Sequence, residues 1–166
     1  MNTSLIKTTL LTALLAGTIV SARAALKVGD ALPDLSTFKL DGKLPDGLKG
    51  KVVIVDFWAS WCGPCKESFP AMNELQKKYG DRGLVILAVN EDEDASDMQD
   101  FLKQNPTVFS VVRDAKQKLV AAAGIQTMPG SFMFDQAGTV RFIHTGFHGA
   151  ETRKQYEQEI EALLKK

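Results

Sequence analysis

Lys51-Val52-Val53-Ile54-Val55-Asp56-Phe57-Trp58-Ala59-Ser60-Trp61-Cys62-Gly63-Pro64-Cys65-Lys66 decides how this chain folds. Its first half, Lys51–Phe57, is a near-continuous β-branched run. Such a run predicts a strand buried on both faces, in the centre of a sheet flanked by helices. From Gly63 to Tyr79 the pattern turns helical, with Pro70 inside it. Cys62 therefore falls just after a strand and at the N-terminus of a helix. Unpaired backbone N–H groups and the positive end of the helix dipole favour an anion there. The thiolate is the nucleophile in thiol chemistry, and this setting lowers a cysteine pKa. Cys65 lies one turn further along the same face, so the two sulfurs can close a disulfide and reopen it. Pro64 suits a first helical turn, where its missing N–H costs nothing. Gly63 would allow a tight turn. A bridge across two residues adds little stability, so the spacing points to exchange chemistry rather than stapling.

Outward from that stretch, helical and strand signals alternate. Leu84–Asn90 reads as a second buried strand and Ser96–Gln104 as a short helix that Ser96 could cap, with Met98, Phe101 and Leu102 on one face. Val108–Val112 reads as a strand, and Gln117–Ala123 as a helix stopped by Gly124. Ser131–Phe134 and Thr139–His144 form a hairpin around Asp135-Gln136-Ala137-Gly138. Glu151–Lys166 is a last helix with Tyr156, Ile160, Leu163 and Leu164 on its buried side. On the other side, Ala25–Gly50 is rich in turn residues and predicts loops with short strands around Leu35–Leu40. The fold class is α/β, a three-layer α/β/α sandwich with N-terminal strands and an inserted strand/helix segment.

Met1–Ala24 reads as an address. It has one early charge, Lys7, an apolar run Leu10–Val20, and Ala22-Arg23-Ala24 at its end, the pattern of a secretory signal. The run is shorter than the roughly 20 residues needed to span a bilayer. The expected organisation is a signal peptide over 1–24 and one domain over 25–166, exported to a bacterial periplasm. The chain has 20 Lys+Arg against 20 Asp+Glu, so it carries no basic excess for phosphates, and a nucleic-acid partner is not expected. The run Glu91-Asp92-Glu93-Asp94 reads as a solvated loop and helix start. It lacks the central Gly of a calcium loop.

Other chemistries can use a cysteine pair. Cys62 and Cys65 with His144 and His148 would make a four-ligand zinc set, yet the pairs stand far beyond the roughly 12–15 residues that separate them in a finger. The histidines read as a strand residue and a loop residue without chemistry. A Cu(I) chaperone using the two sulfurs as soft ligands is a second alternative. A thiol-dependent peroxidase is a third, although the Pro-x-x-x-Thr-x-x-Cys setting of such enzymes is missing. With a redox-active Cys62–Cys65 pair, no metal and no cofactor are called for.

Val55–Lys66 resembles the active-site segment of thioredoxin-fold proteins, a match much longer than a bare C-x-x-C. Pro70 resembles the proline inside that fold's active-site helix, and Thr127-Met128-Pro129 resembles the cis-proline loop facing its cysteines. Gly138 and Gly146 fall where the family has glycines. The longer segment Asn90–Ala123 and the leader resemble the TlpA-type, or ResA-like, thiol–disulfide oxidoreductases of the bacterial envelope. The resemblance implies protein disulfides as substrates, a membrane thiol donor, a monomer, and a place in cytochrome complex assembly. The Gly-Pro dipeptide resembles the reducing end of the family.

Three positions depart from the envelope pattern: Ser68 where a glutamate is common, Asp56 where Asn is common, and Gly130 where Thr is usual. Asp56 resembles the buried aspartate of thioredoxin. The residues then take roles. Cys62 attacks a partner disulfide and Cys65 resolves the mixed disulfide. Asp56, its pKa raised by burial, accepts the Cys65 proton. Pro129 sets the facing loop. Trp61, Gly63, Pro64 and the Met128 backbone form the substrate surface, the last by strand addition.

Overall fold

The computed structural model describes residues 25–165. The expected leader, 1–24, lies outside them. Five strands form one mixed sheet: β1 (Val52–Trp58), β2 (Leu84–Asn90), β3 (Ser110–Arg113), β4 (Gly130–Phe134) and β5 (Val140–Thr145). Their order is β3-β2-β1-β4-β5. β1 pairs in parallel with β2, and β2 with β3; β4 runs antiparallel to β1 and to β5. The β-branched run is thus central, and all seven residues of β1 are buried.

Alternation along β1 divides two cores. Val52, Ile54 and Trp58 join one with Cys62, Cys65, Phe69, Met72 and Leu75 of the first helical segment and Tyr156, Ile160 and Leu163 of the last. Those helices are α1 (Gly63–Tyr79) and α4 (Ala150–Leu164). α2 (Ala95–Gln104) adds Met98, Phe101 and Leu102 to the same side. Val53, Val55 and Phe57 face the other side, closed by Leu119 and Ala123 of α3 (Lys118–Ala123) and by Leu26, Leu35 and Phe38 of the N-terminal stretch. Fully burying one such side chain contributes roughly 1.5–3 kcal/mol, so the two cores hold the strand and the helix start between which the chain turns into the cysteines.

Several local expectations change. Leu35–Phe38 is a 3-10 helix rather than strand, because the Asp34 carboxylate accepts from the Ser36 N–H and hydroxyl and starts a turn. Extended pairing near it is limited to two isolated bridges, Ala31 with Thr139 and Asp41 with Arg113. α2 is preceded by Asp94, not capped by Ser96, which lies inside the helix. α3 is capped by Asp114, whose carboxylate accepts from the N–H groups of Lys118, Leu119 and Val120. Gly124 ends that helix at φ +73°, a left-handed conformation that favours glycine.

Candidate active site

β1 delivers the site to the end of the sheet. Its last residues run into Ala59-Ser60-Trp61, and α1 begins at Gly63 with Cys62 as its N-cap. The two cysteines are joined as a disulfide, their Cα atoms 5.3 Å apart. The Cys65 N–H donates to Cys62 Sγ at 3.3 Å, which is where a helix N-terminus offers an unpaired donor. The sulfurs are not equivalent. Cys62 is 6% exposed and Cys65 0%. Gly63 and Pro64, between them, are exposed. Gly63 has open space at its Cα and no positive φ, so the turn does not require glycine.

Asp56 sits at mid-strand, opposite Ala88 of β2 and Ser131 of β4. By alternation it shares the face of Ile54 and Trp58, the face on which α1 and Cys65 pack. It is 1% exposed, and its Oδ1 has no hydrogen-bond partner among the described residues. Burial alone pushes its carboxyl up to about 8. Beside it in the same core, Ser131 and Tyr156 share a hydroxyl hydrogen bond of 2.6 Å. The Tyr156 phenol is raised too, first by burial and then by the charge of Asp56.

The facing loop carries a cis Met128–Pro129 bond. Pro129 is buried, its carbonyl accepts from the Gly146 N–H at 2.7 Å, and Met128 packs against the core that contains both cysteines. Gly130 begins β4 where a side chain has no room. A Cβ there would stand 2.8 Å from Ile125 Cδ1 and 2.9 Å from the Thr127 carbonyl oxygen. That crowding accounts for the departure at this position. Ser68 is buried and donates its hydroxyl to the Cys65 carbonyl, while Glu67 is exposed. Trp58 is fully buried, its ring centroid 4.5 Å from Phe69 and 5.1 Å from Phe101. Trp61 is 68% exposed.

The acidic run is not a solvated loop throughout. Glu91 and Asp92 are buried; Glu93 and Asp94 are exposed. The Glu91 N–H extends the ladder by donating to the Trp58 carbonyl. The Asp92 carboxylate accepts from the Ser60 N–H and hydroxyl and from the Asn90 amide. These bonds tie the loop after β2 to the segment before Cys62. Composition hid this, because a run of four acids reads as surface whichever way each points. The Asn-x-Asp spacing, which makes a local side-chain turn, was the available signal. His144 lies on β5 against Glu159 at 2.7 Å, and His148 in the loop before α4.

The Redoxin family profile matches residues 27–160. The thiol-disulfide oxidoreductase ResA of Bacillus thuringiensis (strain Al Hakam) is 35% identical over 144 residues, 85% of this chain and 79% of the relative. That of Geobacillus thermodenitrificans is 35% identical over 141 residues, 83% of this chain and 80% of its own. A crystal structure from Chlorobium tepidum, described as a candidate thiol:disulfide interchange protein DsbE, superposes with a TM-score of 0.76 at 42% identity. It spans 84% of this chain and 99% of that one.

Proposed function

Since this chain belongs to the Redoxin family and is a thiol–disulfide oxidoreductase, we propose that it works as a reductase of protein disulfides in the bacterial periplasm. The observation that carries the reading is the unequal pair: Cys62 at the helix N-cap and partly accessible, Cys65 buried behind it. In the reduced protein, the Cys62 thiolate attacks one sulfur of the substrate disulfide. The substrate S–S bond breaks and its other sulfur leaves as a thiolate. Asp56 then takes the Cys65 proton, and Cys65 attacks Cys62 Sγ. The second substrate thiol leaves, and the protein is left with the Cys62–Cys65 disulfide. Two electrons have passed to the substrate. A membrane thiol donor returns them.

Asp56 is suited to its part because its raised pKa lets it gain and lose a proton near neutrality. No cation pairs with it among the described residues, which supports the proton role over a structural ion pair. Pro129 and Met128 shape the face opposite the disulfide, and the Met128 backbone receives an extended substrate segment by strand addition. Trp61, Gly63 and Pro64 form the rest of that surface. The leader pattern of Met1–Ala24 supports export. The protein acts as a monomer, and the disulfides of cytochrome assembly are among its substrates.

Reduction of insulin disulfides with dithiothreitol as donor tests this. Wild type should turn over. Cys62→Ser should abolish turnover, and Cys65→Ser should accumulate mixed disulfides through Cys62. Alkylation of Cys65 ahead of Cys62 in the reduced protein would reverse the two roles.

A further inference from the structure

Between the loop after β2 and the start of α2 lies a cavity of about 360 Å³ that thiol exchange does not need. Trp61, the chain neighbour of Cys62, forms part of its wall. The acidic run and the first turn of α2 supply Glu91, Asp92, Glu93, Asp94 and Asp97, and Gln117 completes it. Acids alone on a surface would mean little. Glu91 is different. It is 5% exposed, it lines the cavity, and both its carboxylate oxygens are buried with no hydrogen-bond partner among the described residues.

A buried acid without a partner costs folding free energy that an apolar side chain at the same place would not. Among the described residues none supplies it a counter-ion. The Arg113 guanidinium donates to the Asp41 carboxylate and to the carbonyls of Asp92 and Glu93. Lys116 lines an adjoining cavity with Asp92, Glu93 and Asp114. The charges that act on Glu91 are the carboxylates of Asp114 and Asp92, which repel its anion. A ligand cation removes that repulsion. An exposed indole beside carboxylates suits a cation on an alkyl stem, whose head meets the acids and whose stem or plane lies on the ring. A bare metal ion suits it less: among the described residues no group of three or more His, Cys, Asp or Glu is arranged to hold one.

We propose that this cavity is a subsite for a lysine or arginine side chain of the polypeptide whose disulfide the protein reduces, so that cationic residues flanking the cystine select the substrate. The proposal rests on the reading of the protein as a reductase of polypeptide disulfides.

Two arms test it on the reduced and oxidised full chain. In the first, reduced protein meets disulfide peptides identical except for Lys, Ser or Glu beside the cystine. At low ionic strength and about pH 9, above the value of about 8 to which burial raises Glu91 and where lysine is still charged, kcat/KM should favour Lys over Ser by about 10-fold, as charge steering does. The preference should shrink as salt rises. Glu91→Gln, which keeps the shape, should bring the Lys/Ser ratio close to one. The exposed pair Glu93→Gln and Asp97→Asn should lower it in part. In the second arm, the oxidised protein is titrated with a cysteine-free heptapeptide carrying two lysines, followed by Trp61 fluorescence. Saturation should occur, and should weaken at least several-fold in Glu91→Gln. Equal kcat/KM for Lys and Ser peptides in wild type, or a ratio unmoved by Glu91→Gln, overturns the subsite. Selective binding in the second arm without turnover of any peptide in the first would uphold the subsite and defeat the reductase reading instead.

Discussion

Asp56 shows how far single residues can be read. Its place in a run of β-branched residues marked it as buried, and burial marked its pKa as raised; both hold in the structure. If it takes the Cys65 proton, Asp56→Asn should slow release of the mixed disulfide by roughly 10²–10⁴-fold near neutral pH, the range that general-base assistance supplies. Formation of the mixed disulfide should change little, because Cys62 has its own donor in the Cys65 N–H. Stopped-flow Trp fluorescence separates the two steps. Release within a few-fold of wild type in Asp56→Asn, with slow release in Glu67→Gln, would move the proton to Glu67. The exposure of Glu67 argues against that outcome. Glu91 was not legible in this way. A single acid in a run of four gives no sequence cue to which side chain turns inward, and only the cavity wall reveals it.

At the scale of elements, the strands and helices with strong periodic patterns were readable. β2 spans Leu84–Asn90 and α1 spans Gly63–Tyr79, as their apolar patterns predict, and Gly124 closes α3. Two of the misreadings fall where a polar side chain captures the backbone. Asp34 turns Leu35–Phe38 into a 3-10 helix, and Asp92 draws the loop after β2 onto Ser60. That second contact joins two elements that are 32 positions apart, so no local pattern announces it. It also fixes the approach to Cys62. Asp92→Ala should therefore strand the Ser60 N–H and the Asn90 amide, lowering stability by about 1–3 kcal/mol. It should also slow reduction of insulin. Thermal unfolding and initial rates check this. An unchanged Tm with an unchanged rate would reduce Asp92 to a surface acid.

For the whole molecule, the two buried acids leave a mark on stability. Asp56 rises from 3.8 and Glu91 from 4.5, each to about 8, and burial is the first cause of both. In each case the folded state holds a proton that the unfolded chain has already released. Between about pH 4 and pH 8 stability should fall as pH rises, and level off above that window. Asp56→Asn should flatten part of the slope and raise stability at neutral pH. Urea unfolding across that range checks the sign; stability that rises from pH 4 to 8 would mean that both acids are ionised in the fold. The three-layer architecture itself was legible, because a doubly buried strand requires cover on both faces. What the sequence could not disclose was that an irregular N-terminal stretch, with α3, makes up one of those covers. The direction of electron flow also belongs to the whole molecule. A strong oxidant needs a heavily stabilised reduced form. Among the described residues one backbone N–H, that of Cys65, reaches the Cys62 sulfur, and the acids beside Trp61 disfavour further negative charge. The reduction potential of the Cys62–Cys65 couple, measured against glutathione or dithiothreitol buffers at pH 7, is the most direct test. A reductase should show a value near that of thioredoxin, about −270 mV; a value near about −120 mV, that of a periplasmic oxidant, would reverse the direction proposed.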